Sequence, residues 1–422
     1  MSEPVIPTDL PPVAARFLRY VQIDTQSDPA STTIPSTEKQ KDLSRLLADE
    51  LRALGVRDVE MDAYGYVYAT LPAVDAPEAP VLGLLAHVDT SPDASGAGVK
   101  PIIHRNYDGR VLTLPGNPAV TLDPSRQPAL LNHLGHDLIT SDGTTLLGSD
   151  DKAGVAILMQ LAEDLVADTA TPRPEVRLCF TIDEEIGRGV DKLDLDRFGA
   201  AVAYTIDGSD MHTVFAETFN AAEATIRVTG RGVHPGYAKD IMVNAARILC
   251  EMVATLPQAE TPEHTAEREG YIHLHGLHAG DVESASAHLI LRDFSDEGMA
   301  RRLQLLERLV ERYRIQYPTA TIALETREQY KNMRAYIDAS DPRVVSLAFD
   351  AAERAGITLR EEVVRGGTDG ARLSELGIPT PNLFNGGHDY HSCFEWNTVQ
   401  NLVESLRYLR VLLGVWAEAP AR

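Results

Sequence analysis

Four apolar runs in this chain each end on acidic or imidazole side chains, and that repeated pattern restricts the fold more than any other feature. Val81 to Ala86 leads into His87, Val176 to Ile182 into Asp183-Glu184-Glu185, and Ala201 to Ile206 into Asp207. A fourth run, Thr380 to Phe384, leads into Gly386-Gly387-His388-Asp389-Tyr390-His391. Short continuous apolar runs bounded by turn signals suit buried strands of a mostly parallel sheet. Ligands of open α/β sheets bind beyond the carboxyl ends of the strands. The pattern therefore predicts an α/β fold in which separate strands deliver polar groups to one rim.

The middle of the chain reads differently. Ala222 to Val228 alternates like a half-exposed strand, Ile241 to Thr255 is helical, and Tyr271 to Leu277 and Ala285 to Leu291 look like paired strands. A long helix over Gly298 to Gln316 and a strand over Thr319 to Glu325 follow. This order predicts a smaller α+β layer at 217–326, inserted into a larger domain made of 1–216 and 327–422. Two domains also suit 422 residues, since single cores stop growing at roughly 250–300. Near the N-terminus, Thr37 to Leu54 reads as an amphipathic helix with a capping box from Thr37 and Gln40, stopped by Gly55.

Charge and composition exclude several functions. The net charge of −23, from 39 basic against 62 acidic residues, argues against a nucleic-acid partner. No apolar run approaches the roughly 20 residues of a bilayer span, so no membrane role is expected. The first residues lack the basic and apolar regions of a signal peptide, and Cys179, Cys250 and Cys393 are too few and too scattered for a disulfide framework. A cytoplasmic protein is expected.

The chemistry-bearing motifs share one character. In His87-Val88-Asp89, residues two apart face the same way on an extended chain, so Asp89 can hold one ring nitrogen of His87 while the other binds metal. Asp150-Asp151 precede an apolar-periodic helix, where they could cap it or bridge two metal ions. Glu184 and Glu185 diverge on an extended backbone, so one can ligate metal while the other faces a bound water. Asp207 ends a strand, and His391, with Glu395 four residues on, competes with His388 as a ligand. Imidazole and carboxylate without cysteine suit a catalytic zinc site. Neither a phosphate-binding G-x-x-x-x-G-K-[ST] loop nor a G-x-S-x-G nucleophile elbow is present, which leaves metal-assisted hydrolysis.

These strings resemble the two-zinc metallopeptidase family that includes aminoacylase, carnosinase and the bacterial carboxypeptidase that hydrolyses folates. The resemblance runs nearly end to end. His87-Val88-Asp89 and Asp183-Glu184-Glu185 are shared by the whole group, whereas Asp142-Gly143-Thr144-Thr145-Leu146-Leu147-Gly148 and Arg365-Gly366-Gly367-Thr368-Asp369-Gly370 point to its tripeptide aminopeptidases. The resemblance implies a catalytic domain with an inserted lid or dimerisation-type domain, and it allows a homodimer. It implies two zinc ions per chain, one on His87, Asp150 and Asp207, the other on Asp150, Glu185 and His391. It makes Glu184 the general base and Asp89 the partner of His87. It assigns His234, Asn244 and Arg365 to substrate binding, and makes the Asp150–Asp151 peptide cis. Position 388 is His where an aromatic such as Tyr is expected. The implied substrates are short peptides, mainly tripeptides with free termini. A dipeptidase or N-acyl-amino-acid deacylase is the rival within the same architecture. A protein that merely bound metal or peptide would not need Glu184.

Overall fold

The computed structural model describes residues 7–420. It divides into one unit of residues 1–216, 336–362 and 368–422, and a second of 217–335 and 363–367.

The first unit is built on an eight-stranded sheet. Its centre is four parallel strands in the order Val176–Thr181, Leu82–His87, Val202–Gly208 and Asn382–Phe384. These are the four apolar runs, and parallel pairing aligns their carboxyl ends. Antiparallel strands flank them, among them Val67–Leu71 beside Val176–Thr181 and Thr213–Thr218 beside Asn382–Phe384. Every residue of Leu82–His87 is buried, as expected of a strand covered on both faces. Gly83 allows one of those faces to be approached closely: a Cβ there would lie 2.8 Å from Ala203 and 2.9 Å from Ala200.

The helix Ser149–Ala167 lies against this sheet and is buried on almost all sides, so its sequence shows little polar face. Its first residues, Asp150 and Asp151, are not helical in backbone conformation, and the peptide between them is cis, as the resemblance implied. The expected helix near the N-terminus runs from Gln40 to Ala53 and ends at Gly55 with φ +82°. The capping box is not formed. Thr37 donates its hydroxyl to the Gln26 carbonyl, and Gln40 is drawn inward, donating to the buried Asp183 carboxylate at 2.6 Å. A charged acceptor inside the protein outcompetes a local cap.

The second unit is a four-stranded antiparallel sheet in the order Tyr271–His278, Ser284–Asp293, Asn220–Thr229, Thr321–Tyr330. The helices Ala245–Val253 and Asp296–Gln316 pack on it around a core that includes Ile226, Leu249, Leu289, Leu306 and Val310. The last strand runs past its expected end at 325 because it stays paired with Asn220–Thr229 as far as Tyr330, across a bulge at Ala221/Ala222. The first helix starts at Ala245 rather than 241, because Asn244 caps it by accepting the Arg247 amide at 3.0 Å.

Candidate metal centre

The carboxyl ends of the central strands converge on one cluster, largely buried except for the exposed His391. Asp150 sits between two histidines: Oδ1 lies 2.8 Å from His87 Nε2 and Oδ2 lies 3.3 Å from His391 Nε2. Asp207 Oδ1 approaches His87 Nε2 at 3.6 Å, and Glu185 Oε2 approaches His391 Nε2 at 2.8 Å. The structure thus brings together His87, Asp150, Asp207, Glu185 and His391, with Glu184 Oε2 at 4.0 Å from His87.

Two overlapping groups have their potential ligand atoms within 4.8 Å of one another: His87, Asp150 and Glu185, and His87, Asp151 and Asp207. Asp151 is the weaker candidate of the adjacent acids. Its Oδ1 accepts from Asn385 Nδ2 at 2.9 Å and the Gly154 amide at 3.1 Å, and its Oδ2 accepts from the His87 amide at 3.3 Å. Those N–H groups occupy both of its oxygens, whereas Asp150 faces imidazoles on both sides.

The electrostatics fit a cation. Burial raises Glu185 to about 8, helped by repulsion from Asp150. Burial, with the same neighbour, raises Asp207 to about 6. Glu184 is also pushed well up, first by burial and then by Asp207 and Asp369 against the opposing pull of His87. Burial alone would lower His391, but hydrogen bonds to Asp150 and Glu185 raise it to about 11. Protons thus hold carboxylates together that would otherwise repel, a role that divalent cations perform in such donor sets. Glu185 Oε1 is buried with no hydrogen-bond partner, a further sign that an electrophile belongs there. Nitrogen and carboxylate oxygen without sulfur is a donor set that zinc accepts.

Several supports were legible only in part. The carbonyl of Asp89, not its carboxylate, is the nearer partner of His87 Nδ1, at 3.0 Å against 3.4 Å. The Asp89 carboxylate instead accepts the amides of Glu184 and Glu185 at 3.1 and 3.2 Å, which holds the two glutamates at the rim. The pairing of His391 with Glu395 is not formed. Glu395 points away to the amides of Leu147, Gly148 and Asp150, and His391 Nδ1 meets Asp93 Oδ2 at 3.3 Å. His388 is held apart from the cluster. Its ring stacks on Trp396 at 4.1 Å, because the His388 and Trp396 backbones pair and close the loop that carries His391.

Asp183, Asp369 and Asn385 have roles here that their local sequence does not assign. Asp183 anchors the turn before the two glutamates by accepting from the Ser36 amide at 2.7 Å and from Gln40. Asp369 accepts the Thr181 hydroxyl at 2.7 Å and lines the same void as Glu184 and Asp207. Its place in the Arg365-to-Gly370 string was the one available signal.

The three expected substrate-binding residues lie in the second unit. His234 is exposed, and its Nδ1 accepts the Gly236 amide at 3.1 Å, which leaves the proton on Nε2 as a donor. Asn244 has its oxygen engaged as a helix cap. Arg365 faces the carbonyls of Glu267 and Glu269 at 2.8 and 2.9 Å, and its guanidinium lies over Phe219 and Tyr271.

Residues 142–414 match the peptidase family M20/M25/M40. The chain belongs to this family. It is 44% identical over 406 residues to a protein named peptidase T from Geobacillus sp. (strain WCH70), covering 96% of this chain and 98% of that one. Peptidase T from Bacillus subtilis (strain 168) is 43% identical over 397 residues, covering 94% and 96%. The crystal structure of an aminopeptidase PepT from Bacillus cereus ATCC 10987 superposes with a TM-score of 0.73 at 22% identity, over 96% of this chain and 98% of that one, a likeness of fold.

Proposed function

We propose that the chain is a tripeptide aminopeptidase that uses two zinc ions to release the N-terminal residue from short peptides. The observation that carries this reading is the Asp150 carboxylate, with one oxygen toward His87 and the other toward His391. That is the arrangement of a bridging ligand. His87, Asp150 and Asp207 would hold one ion, and Asp150, Glu185 and His391 the other. When bound, the pair supplies Lewis acidity and a water acidic enough to act as a nucleophile near neutral pH.

The chain's own residues do the rest. Glu184 takes the proton of the attacking water and delivers it to the leaving amine. Its burial lifts its basicity in the direction this shuttle needs. Asp89 keeps Glu184 and Glu185 apart in role by fixing both of their amides. His234 would donate its Nε2 proton to the carbonyl oxygen as negative charge develops there. Asn244 would offer its remaining Nδ2 donors, and Arg365 would exchange neutral carbonyls for the substrate's terminal carboxylate, a stronger acceptor. The protein would work in the cytoplasm, as a homodimer or alone, on peptides with both termini free.

A substrate panel tests the reading. Zinc-loaded protein should release the first residue of tripeptides, cleave dipeptides and N-acyl amino acids far more slowly, and lose activity to a chelator. Faster cleavage of N-acyl amino acids would make it a deacylase instead.

A further inference from the structure

One loop and one turn meet at the metal centre, and a carboxylate that takes no part in the reaction joins them. The loop is 385–397, with His391 near its apex, and it is closed by paired backbone bonds between His388 and Trp396 at 2.9 and 3.1 Å. The turn is 147–151, which carries Asp150. Glu395 lies between them and is 1% exposed. Its Oε2 accepts the amides of Leu147 and Gly148, both at 2.7 Å, and its Oε1 accepts the Asp150 amide at 3.0 Å. The same loop reaches the turn twice more, as Asn397 donates to the Ser149 hydroxyl at 2.8 Å and Asn385 to Asp151 at 2.9 Å.

We infer that Glu395 is a positioning residue that sets the separation of Asp150 and His391, and with it the affinity of the second metal position. The inference rests on the proposed ligand set, in which both residues hold that ion. A buried carboxylate accepting three backbone amides is a strong and directional tie. One of the three belongs to Asp150 itself, so displacing Glu395 frees the backbone of the bridging ligand. It sits four residues beyond His391 in the same closed loop, so it ties the backbone of Asp150 to the loop that carries His391. Glutamine cannot replace it, because one of its two polar ends is an amide donor that would face backbone N–H groups.

The test measures metal binding directly, by competition titration with zinc and by the visible absorption of the cobalt-loaded protein. Glu395→Gln and Glu395→Asp are compared with Asp150→Asn; the Asp variant keeps the charge but falls a methylene short, and serves if the Gln variant does not fold. Both Glu395 variants should bind the ion of the second position about tenfold or more less tightly, the range seen when a residue behind a ligand is lost, with an altered cobalt spectrum. Asp150→Asn should lose binding outright. Unchanged zinc affinity and cobalt spectrum in the folded Glu395 variants, with a lower melting temperature alone, would reduce Glu395 to a structural tie and overturn the inference while leaving the ligand set intact. Normal metal binding by Asp150→Asn would overturn the ligand set and the inference together.

Discussion

His391 and His388 stand three residues apart yet meet opposite chemistry. His391 is surrounded by Asp150, Glu185 and Asp93, while His388 is buried against Trp396 and lowered to about 4, chiefly by that burial. His391→Ala should therefore retain about one tightly bound zinc per chain and be inactive, and His388→Phe, which preserves the stack, should keep both metals. Metal analysis by mass spectrometry decides it, and the reverse stoichiometry would move the ligand to His388. Arg365→Ala should raise KM for free tripeptides by an amount equivalent to about 1.5–3 kcal/mol and change far less for C-terminally amidated ones. Equal penalties on both would remove Arg365 from carboxylate recognition and leave it as a tie to the carbonyls of 267 and 269. The residues of the cluster were readable in the sequence as candidates: His87, Glu185 and Asp207 follow apolar runs, His391 comes shortly after a fourth, and Asp150 opens an apolar-periodic helix. Their supports were legible only in part: Glu395 stood out by its spacing from His391, but its contact with Asp150 and that of Asn385 with Asp151 lie 245 and 234 positions apart in sequence.

The elements follow the same division. The parallel strands were legible as apolar runs because both of their faces are covered. The Gln40–Ala53 helix was legible by period, but its start was misread, since the decisive partner of Gln40 is Asp183, 143 residues on. The helix Ser149–Ala167 shows how closely an element must seat to present a ligand. A Cβ at Gly154 would overlap the Ile206 carbonyl and lie 2.5 Å from Asp151 Oδ1. Gly154→Ala should therefore lift the helix start off the strand that carries Asp207. The expected cost is about 1–3 kcal/mol of stability, typical of overpacking, together with weaker metal binding. Chemical denaturation with and without zinc measures both, and a fully stable variant with normal affinity would show that the helix seats more loosely than the structure has it.

At the scale of the whole molecule, the carboxylates and imidazoles of the candidate metal centre couple folding to pH. In the metal-free protein Asp207 keeps its proton to about 6 and Glu185 to about 8, for burial disfavours their charge. The unfolded chain ionises both near the ordinary value of about 4. Across that window the native state binds more protons than the unfolded one, so stability falls as pH rises. His391, raised to about 11, adds a loss in the same direction above its ordinary value of about 6.5. Chelated protein should melt at a lower temperature near about pH 8 than near about pH 5.5, and zinc should restore more stability at the higher pH. A chelated protein that grows steadily more stable over this range would contradict the assignment of these groups to one cation site. In the proposed mechanism Glu184 moves the proton and the other residues of the cluster hold metal. Metal content and tripeptide turnover of Glu184→Gln, measured on the same preparation, test this most directly. The expected result is two ions per chain with turnover lower by about 10²–10⁴-fold or more. Loss of an ion, or turnover near that of the parent protein, would contradict it.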